Sequence, residues 1–135
     1  MTDTSPPSTY RVLVTGSRDW DDPERVRFEL NSIYDALISP GQTMTVVHGA
    51  CPTGADRHAH QWCADRQRFG GPVIEEQHPA TWLTHSRAAG PLRNKHMVDL
   101  GADLCLAFIR AGSRGATHCA RLAEAADIPI RRYTA

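Results

Sequence analysis

The stretch HGACPTGADRHAH, residues 48–60, packs three histidines, one cysteine and one aspartate into thirteen positions. Metal ligation, acid–base work and contact with a phosphate or ribose all draw on these residue types. Spacing separates them. Asp56 and His60 are four apart and share a helix face, whereas His58 and His60 do not. Cys51 and Cys63 have no second ligand pair at zinc-site spacing, so no metal is expected from this segment. Gly49 and Gly54 instead shape a turn that leads into a helix. Asp56 falls in the first helical turn, where a negative charge is favourable, and it could equally accept a ribose hydroxyl. His48 closes a strand, as a neutral-pH acid or base or as a cap on the sheet edge. His58 and His60 are expected on the helix surface or in packing.

Three other turns carry polar chemistry. In GSRDW, residues 16–20, Gly16 allows a sharp turn and close approach, Ser17 can donate a hydrogen bond, and Arg18 can grip phosphate or carboxylate. In RAGSRGATH, residues 110–118, Gly112 and Gly115 admit a ligand to the backbone. The following helix start favours anions, with Ser113 and Thr117 adding hydroxyls; Ser113 could instead only cap that helix. AGPLRNKHM, residues 89–97, sets Arg93 on the face of Met97, near the buried boundary, and Asn94 beside it. Trp82 either folds onto the core or stacks on a ring. Glu75 and Glu76 are adjacent on a strand and must face opposite ways. No GxGxxG, GxxxxGK[ST] or GxSxG pattern is present, so neither a dinucleotide fingerprint, a P-loop nor a nucleophile elbow is expected, and no cofactor is implied.

These turns must be positioned by regular elements. Short apolar strands are expected at 11–17, 44–50, within 70–79, at 102–109 and at 128–133. Helices are expected from Asp22-Pro23 to Leu37, over 53–69 with Thr53 and Asp56 as a weak capping box, from about Pro91, and over 116–127. Strands alternating with helices predict a parallel sheet covered on both faces. With strand order 3-2-1-4-5 the order reverses between the first and fourth strands. The turns after those strands and the second then share the carboxyl edge where such folds bind ligands.

The chain has 135 residues, enough for one domain, with a short flexible tail expected at 1–10 and the domain at 11–135. Fifteen basic residues balance fifteen acidic ones. Composition therefore gives no support for a DNA or anionic-membrane surface. No apolar run approaches the roughly 20 residues that span a bilayer, and the N-terminus lacks signal-peptide architecture. The expected compartment is the cytoplasm, with the four cysteines reduced.

Taken together, VTGSRDW (14–20), HGACPTGAD (48–56), HPATW (78–82), AGPLRN (89–94) and AFIRAGSRGAT (107–117) resemble the YspA-like branch of the SLOG superfamily, also called DUF2493. The resemblance runs from about residue 11 to residue 133. It implies a single three-layer Rossmann-like domain with a five-stranded parallel sheet, and a pocket for a nucleotide or nucleotide-derived ligand. Gly16, Ser17, Arg18, Gly54, Asp56, Arg93, Asn94, Gly112, Ser113, Gly115 and Thr117 would face that ligand, and Gly49 shapes the turn beside them. The related LOG enzymes hydrolyse the N-glycosidic bond of nucleoside 5′-monophosphates with an arginine and a glutamate. Arg93 matches the arginine, but Cys119 stands at the glutamate. Hydrolysis would then fall to Asp56 with Arg93. LOG-like relatives are commonly dimers, which implies a homo-oligomer here. Similarity to the DNA-processing protein DprA is partial, and DNA is not the expected partner.

Overall fold

The computed structural model describes residues 9–81 and 86–134, so most of the expected tail, and Trp82, lie outside the described residues. Five strands alternate with helices: β1 Thr9–Gly16, α1 Pro23–Leu37, β2 Thr43–His48, α2 Gly54–Arg68, β3 Val73–Gln77, α3 Ala89–Asp99 after a single 3₁₀ turn, β4 Leu104–Ile109, α4 Arg114–Ala125 and β5 Ile130–Thr134. All pairings are parallel and the order is β3-β2-β1-β4-β5. This is the Rossmann-like arrangement expected from the alternating elements, with the strand order 3-2-1-4-5 considered for it.

The central strands are buried on both faces, which is why they read as continuous apolar runs. Val12, Val14, Val46, Leu106 and Phe108 pack with Val26, Leu30 and Ile33 of α1 and Ala55, Ala59 and Trp62 of α2. On the opposite face Leu13, Val47 and Cys105 pack with Met97 and Val98 of α3 and Cys119 and Ala123 of α4. Alternation along β1 therefore assigns Val12 and Val14 to one helical layer and Leu13 to the other. Asp22 caps α1 as its sequence suggests: its carboxylate accepts from the Arg25 N–H at 3.1 Å, and Pro23 occupies the first turn.

Boundaries moved where local chemistry outweighed pattern. β2 stops at His48, not at residue 50, because Ala50 turns left-handed at φ 57°. α3 begins at Ala89, two residues before Pro91, since a first-turn residue needs no N–H donor. The Thr53–Asp56 capping box does not form. Thr53 makes no side-chain cap bond, and the Asp56 carboxylate turns inward to accept from the Cys51 N–H at 3.2 Å.

Candidate ligand-binding site

The ends of β1, β2 and β4 open onto a cavity of about 570 Å³ where the strand order reverses between β1 and β4. Of the residues expected to face a ligand, Gly16, Arg18, Gly49, Asp56, Arg93, Asn94, Gly112, Ser113 and Gly115 line it. Ser17, Gly54 and Thr117 do not: the first two join neighbouring walls, and Thr117 bonds within the start of α4. Ser17 is almost wholly buried, and its hydroxyl accepts the Arg110 N–H at 2.8 Å, tying the turn after β1 to the turn after β4. The Thr117 hydroxyl donates to the Ser113 carbonyl at 2.7 Å.

Two glycines are demanded by close approach. Gly54 has φ 72°, and a Cβ there would lie 2.7 Å from the Arg18 carbonyl oxygen. Its missing side chain lets the start of α2 sit directly on the turn after β1. A Cβ at Gly49 would meet the Arg93 guanidinium and stand 3.1 Å from the Asp56 carboxylate. Gly49 is bare because the Arg93 and Asp56 side chains converge over it.

Asp56 is the buried carboxylate of the cavity, 8% exposed. Burial raises its pKa above the ordinary carboxylate value; His48, the Cys51 N–H, Arg93 and the Gly49 N–H oppose that rise without cancelling it. Arg93 faces the same place through a set of anchored bonds. Its Nη1 donates to the Gly49 carbonyl at 2.6 Å and to the His78 carbonyl at 3.4 Å, and its Nε donates to Asn94 Oδ1 at 2.9 Å. That last bond fixes the Asn94 amide, whose Nδ2 donates to the Gly115 carbonyl at 3.3 Å and to His118 Nδ1 at 3.4 Å. Arg93 and Asn94 thereby stitch the segments after β2 and β3 to the start of α4.

The opposite wall is the glycine turn and the first turn of α4. Gly112 has φ 84°, a conformation glycine adopts without strain. The Ser113 side chain makes no cap bond to α4. Arg114 and Arg18 also line the cavity. Asp19 stands at the rim, where its carbonyl accepts from Arg110 Nη1 at 3.1 Å.

Cys119 does not reach the cavity. It is fully buried, and burial pushes its thiol up to about 11, against a hydrogen bond from Thr15 and the nearby Arg93. A neutral thiol in that place does no acid–base work near pH 7. The Asp56 charge acts on the same thiol, so residue 119 lies within electrostatic reach of Asp56 and Arg93.

Sequence reasoning missed several cavity residues, among them His118 and Cys51. His118 was visible in principle: it lies three positions after Gly115 and so shares that helix face. Glu75 was not. It comes from β3, and its Oε2 contacts His48 Nε2 at 2.6 Å and His60 Nδ1 at 2.8 Å. Glu76 points the other way, to Arg11 and His78.

Fold and site together define a Rossmann-like α/β domain whose switch-point cavity sets one buried carboxylate and three arginines among apolar side chains. A family model described as "YspA, cpYpsA-related SLOG family" matches residues 10–85. The chain is 42% identical over 123 residues to the "Gene 61 protein" of Mycobacterium phage D29, covering 91% of this chain and 95% of that protein. The chain belongs to the YspA-related SLOG family, which points to a nucleotide-related function. No solved structure matches it significantly. No helix among the described residues is long and apolar enough to cross a membrane.

Proposed function

We propose that the protein binds a nucleotide or nucleotide-derived ligand, such as a nucleoside monophosphate or ADP-ribose, in the cavity at the ends of β1, β2 and β4. The carrying observation is a buried, backbone-anchored Asp56 that lines one cavity with a glycine turn, Arg18, Arg93, Arg114 and the start of α4. A carboxylate accepts paired ribose hydroxyls, and a helix start with adjacent arginines suits phosphate.

A second reading is hydrolysis of the N-glycosidic bond, with Asp56 activating water and Arg93 balancing charge. It draws on the upward shift at Asp56, which moves a carboxylate toward the range useful for proton transfer. Thermal unfolding with AMP or ADP-ribose, beside chromatography for released base, separates the readings. Binding alone gives a raised Tm with no base released. Hydrolysis gives release that Asp56→Asn abolishes while ligand stabilisation largely remains. No Tm change with either compound would reject the binding reading.

A further inference from the structure

His48 is 1% exposed and does not line the cavity, yet both its ring nitrogens are engaged. Nδ1 accepts the Ala50 N–H at 3.0 Å, and Nε2 meets Glu75 Oε2 at 2.6 Å. A nitrogen that accepts an N–H carries no proton. The ring proton is therefore on Nε2, donated to Glu75, which also takes the His60 ring at 2.8 Å. The charged or titratable groups facing His48 are Glu75 from β3 and His60 and Asp56 from α2.

The residue that His48 holds is under strain. Ala50 has φ 57°, a left-handed conformation costing an alanine about 1–2 kcal/mol. Its neighbours do the work of the site. The Gly49 carbonyl anchors Arg93, and the Gly49 and Cys51 N–H groups face Asp56. Relaxing Ala50 to negative φ would rotate the peptide groups on either side of it and withdraw these partners. Under the loop, the acceptor opposing that relaxation is His48 Nδ1.

The same geometry decides the meaning of the one group of three side chains among the described residues that could ligate a cation, His48, His60 and Glu75. A divalent ion at His48 Nε2 would need that lone pair, sending the ring proton to Nδ1. The Ala50 N–H already fills Nδ1. The triad is built as a hydrogen-bonded support, and a cation would have to open the loop first.

We propose that His48 is the positioning residue of the cavity: Glu75 holds it as the Nε2–H form, so that Nδ1 fixes Ala50 and thereby the peptide groups that orient Asp56 and Arg93. Only the ligand-affinity part of the test rests on the binding reading above. Nitrogen-15 NMR of ring-labelled protein at pH 7 should show a histidine, absent from His48→Asn, with a protonated Nε2 and a bare Nδ1, unchanged on adding Zn²⁺ alone. A protonated Nδ1, or a zinc-bound Nε2, would overturn the proposal. His48→Asn sets an amide oxygen near the Nδ1 position, whereas His48→Leu has no acceptor. The Ala50 amide should exchange with solvent at least 10-fold faster in the leucine variant than in wild type, and near the wild-type rate in the asparagine variant. ADP-ribose affinity should follow, falling at least 10-fold for leucine and less than 3-fold for asparagine. A folded leucine variant with wild-type Ala50 exchange would refute the role. If wild type binds neither ADP-ribose nor AMP, the binding reading fails, while the NMR and exchange results still decide this one. If the leucine variant does not fold, the ring protonation of wild type and the exchange rate in His48→Asn decide it.

Discussion

Asp56→Asn should make the protein more stable at neutral pH. The carboxylate is 8% exposed, and burial is the largest influence on it, raising its pKa above the usual carboxylate value despite His48, two backbone N–H groups and Arg93. A raised folded-state value means that the native protein binds the proton more tightly than the unfolded chain does. The stabilising contribution is full below the unfolded value and is lost as pH rises through the folded one. At pH 7 the ionised side chain is therefore a net cost. Asparagine removes the charge, and its amide oxygen can take the place of Oδ2 beneath the Cys51 N–H. Arg93 keeps the Gly49 and His78 carbonyls and Asn94 Oδ1, so it is not stranded by the change. Because the partners of Asp56 offset part of its burial cost, the gain should sit at the low end of that for a buried unsatisfied polar group, about 1 kcal/mol, or roughly 3–6 °C in Tm for a domain of this size. Urea unfolding of both proteins from pH 4 to pH 8 measures it. The gap should be widest at neutral pH and close as pH falls, because wild type recovers stability on protonation. A variant less stable than wild type at pH 7, or a gap independent of pH, would show that the partners of Asp56 outweigh its burial. A stabilising change at a residue proposed to meet the ligand is the usual trade between stability and activity.

Gly54→Ala should destabilise by about 3 kcal/mol or more, since it adds a steric conflict with the Ser17–Arg18 backbone to a left-handed φ. Gly41→Ala is the control: its φ is 83° with nothing within 4 Å, so only the conformational cost of about 1 kcal/mol applies, and equal losses in urea unfolding would refute the packing argument. Glu76→Gln should behave oppositely to Asp56→Asn. Arg11 is the main cause holding Glu76 down to about 2, so its stabilisation is present above the unfolded value and fades as pH falls toward the folded one. The pair is partly exposed, which limits the neutral-pH loss to about 1 kcal/mol, and a loss persisting below pH 2 would exclude an ionic origin.

The fold was legible because its signals are local. Apolar runs such as LCLAFI and MTVVH can be buried only in the middle of a covered sheet, and glycine or proline marks nearly every exit. The strand order is a tertiary fact that no local signal carries, and 3-2-1-4-5 was taken as an order such parallel folds adopt. Boundary errors occurred where one residue departs from its type: Ala50 takes a conformation that composition does not announce, and Pro91 sits inside a first turn where a proline is merely tolerated. Site residues on turns were legible for the same local reason. Those that depend on another strand were not. Glu75 meets His48 from 27 positions away, and without it His48 and His60 have no readable role. Ser17 and Thr117 were assigned to the ligand on residue type and resemblance, yet Ser17 ties two turns together and Thr117 bonds back within the start of α4.

The placement of the carboxylate bears on what the cavity could do. Had residue 119 been acidic, its carboxylate would have sprung from α4, the same helix whose start would meet a phosphate. Cys119 is instead sealed beneath Thr15 as a neutral thiol. The buried carboxylate of the cavity is Asp56, brought from the far wall by α2 and held by the loop after β2. A ligand spanning the two would present hydroxyls to one wall and phosphate to the other, with Arg93 and Asn94 bonded across the gap. Such an arrangement favours recognition by length and orientation, because both ends must be matched at once. Catalysis is possible only as far as Asp56 can also reach a water molecule while anchored to Cys51. That restriction makes base release the more demanding outcome and binding the one the geometry supports without further movement.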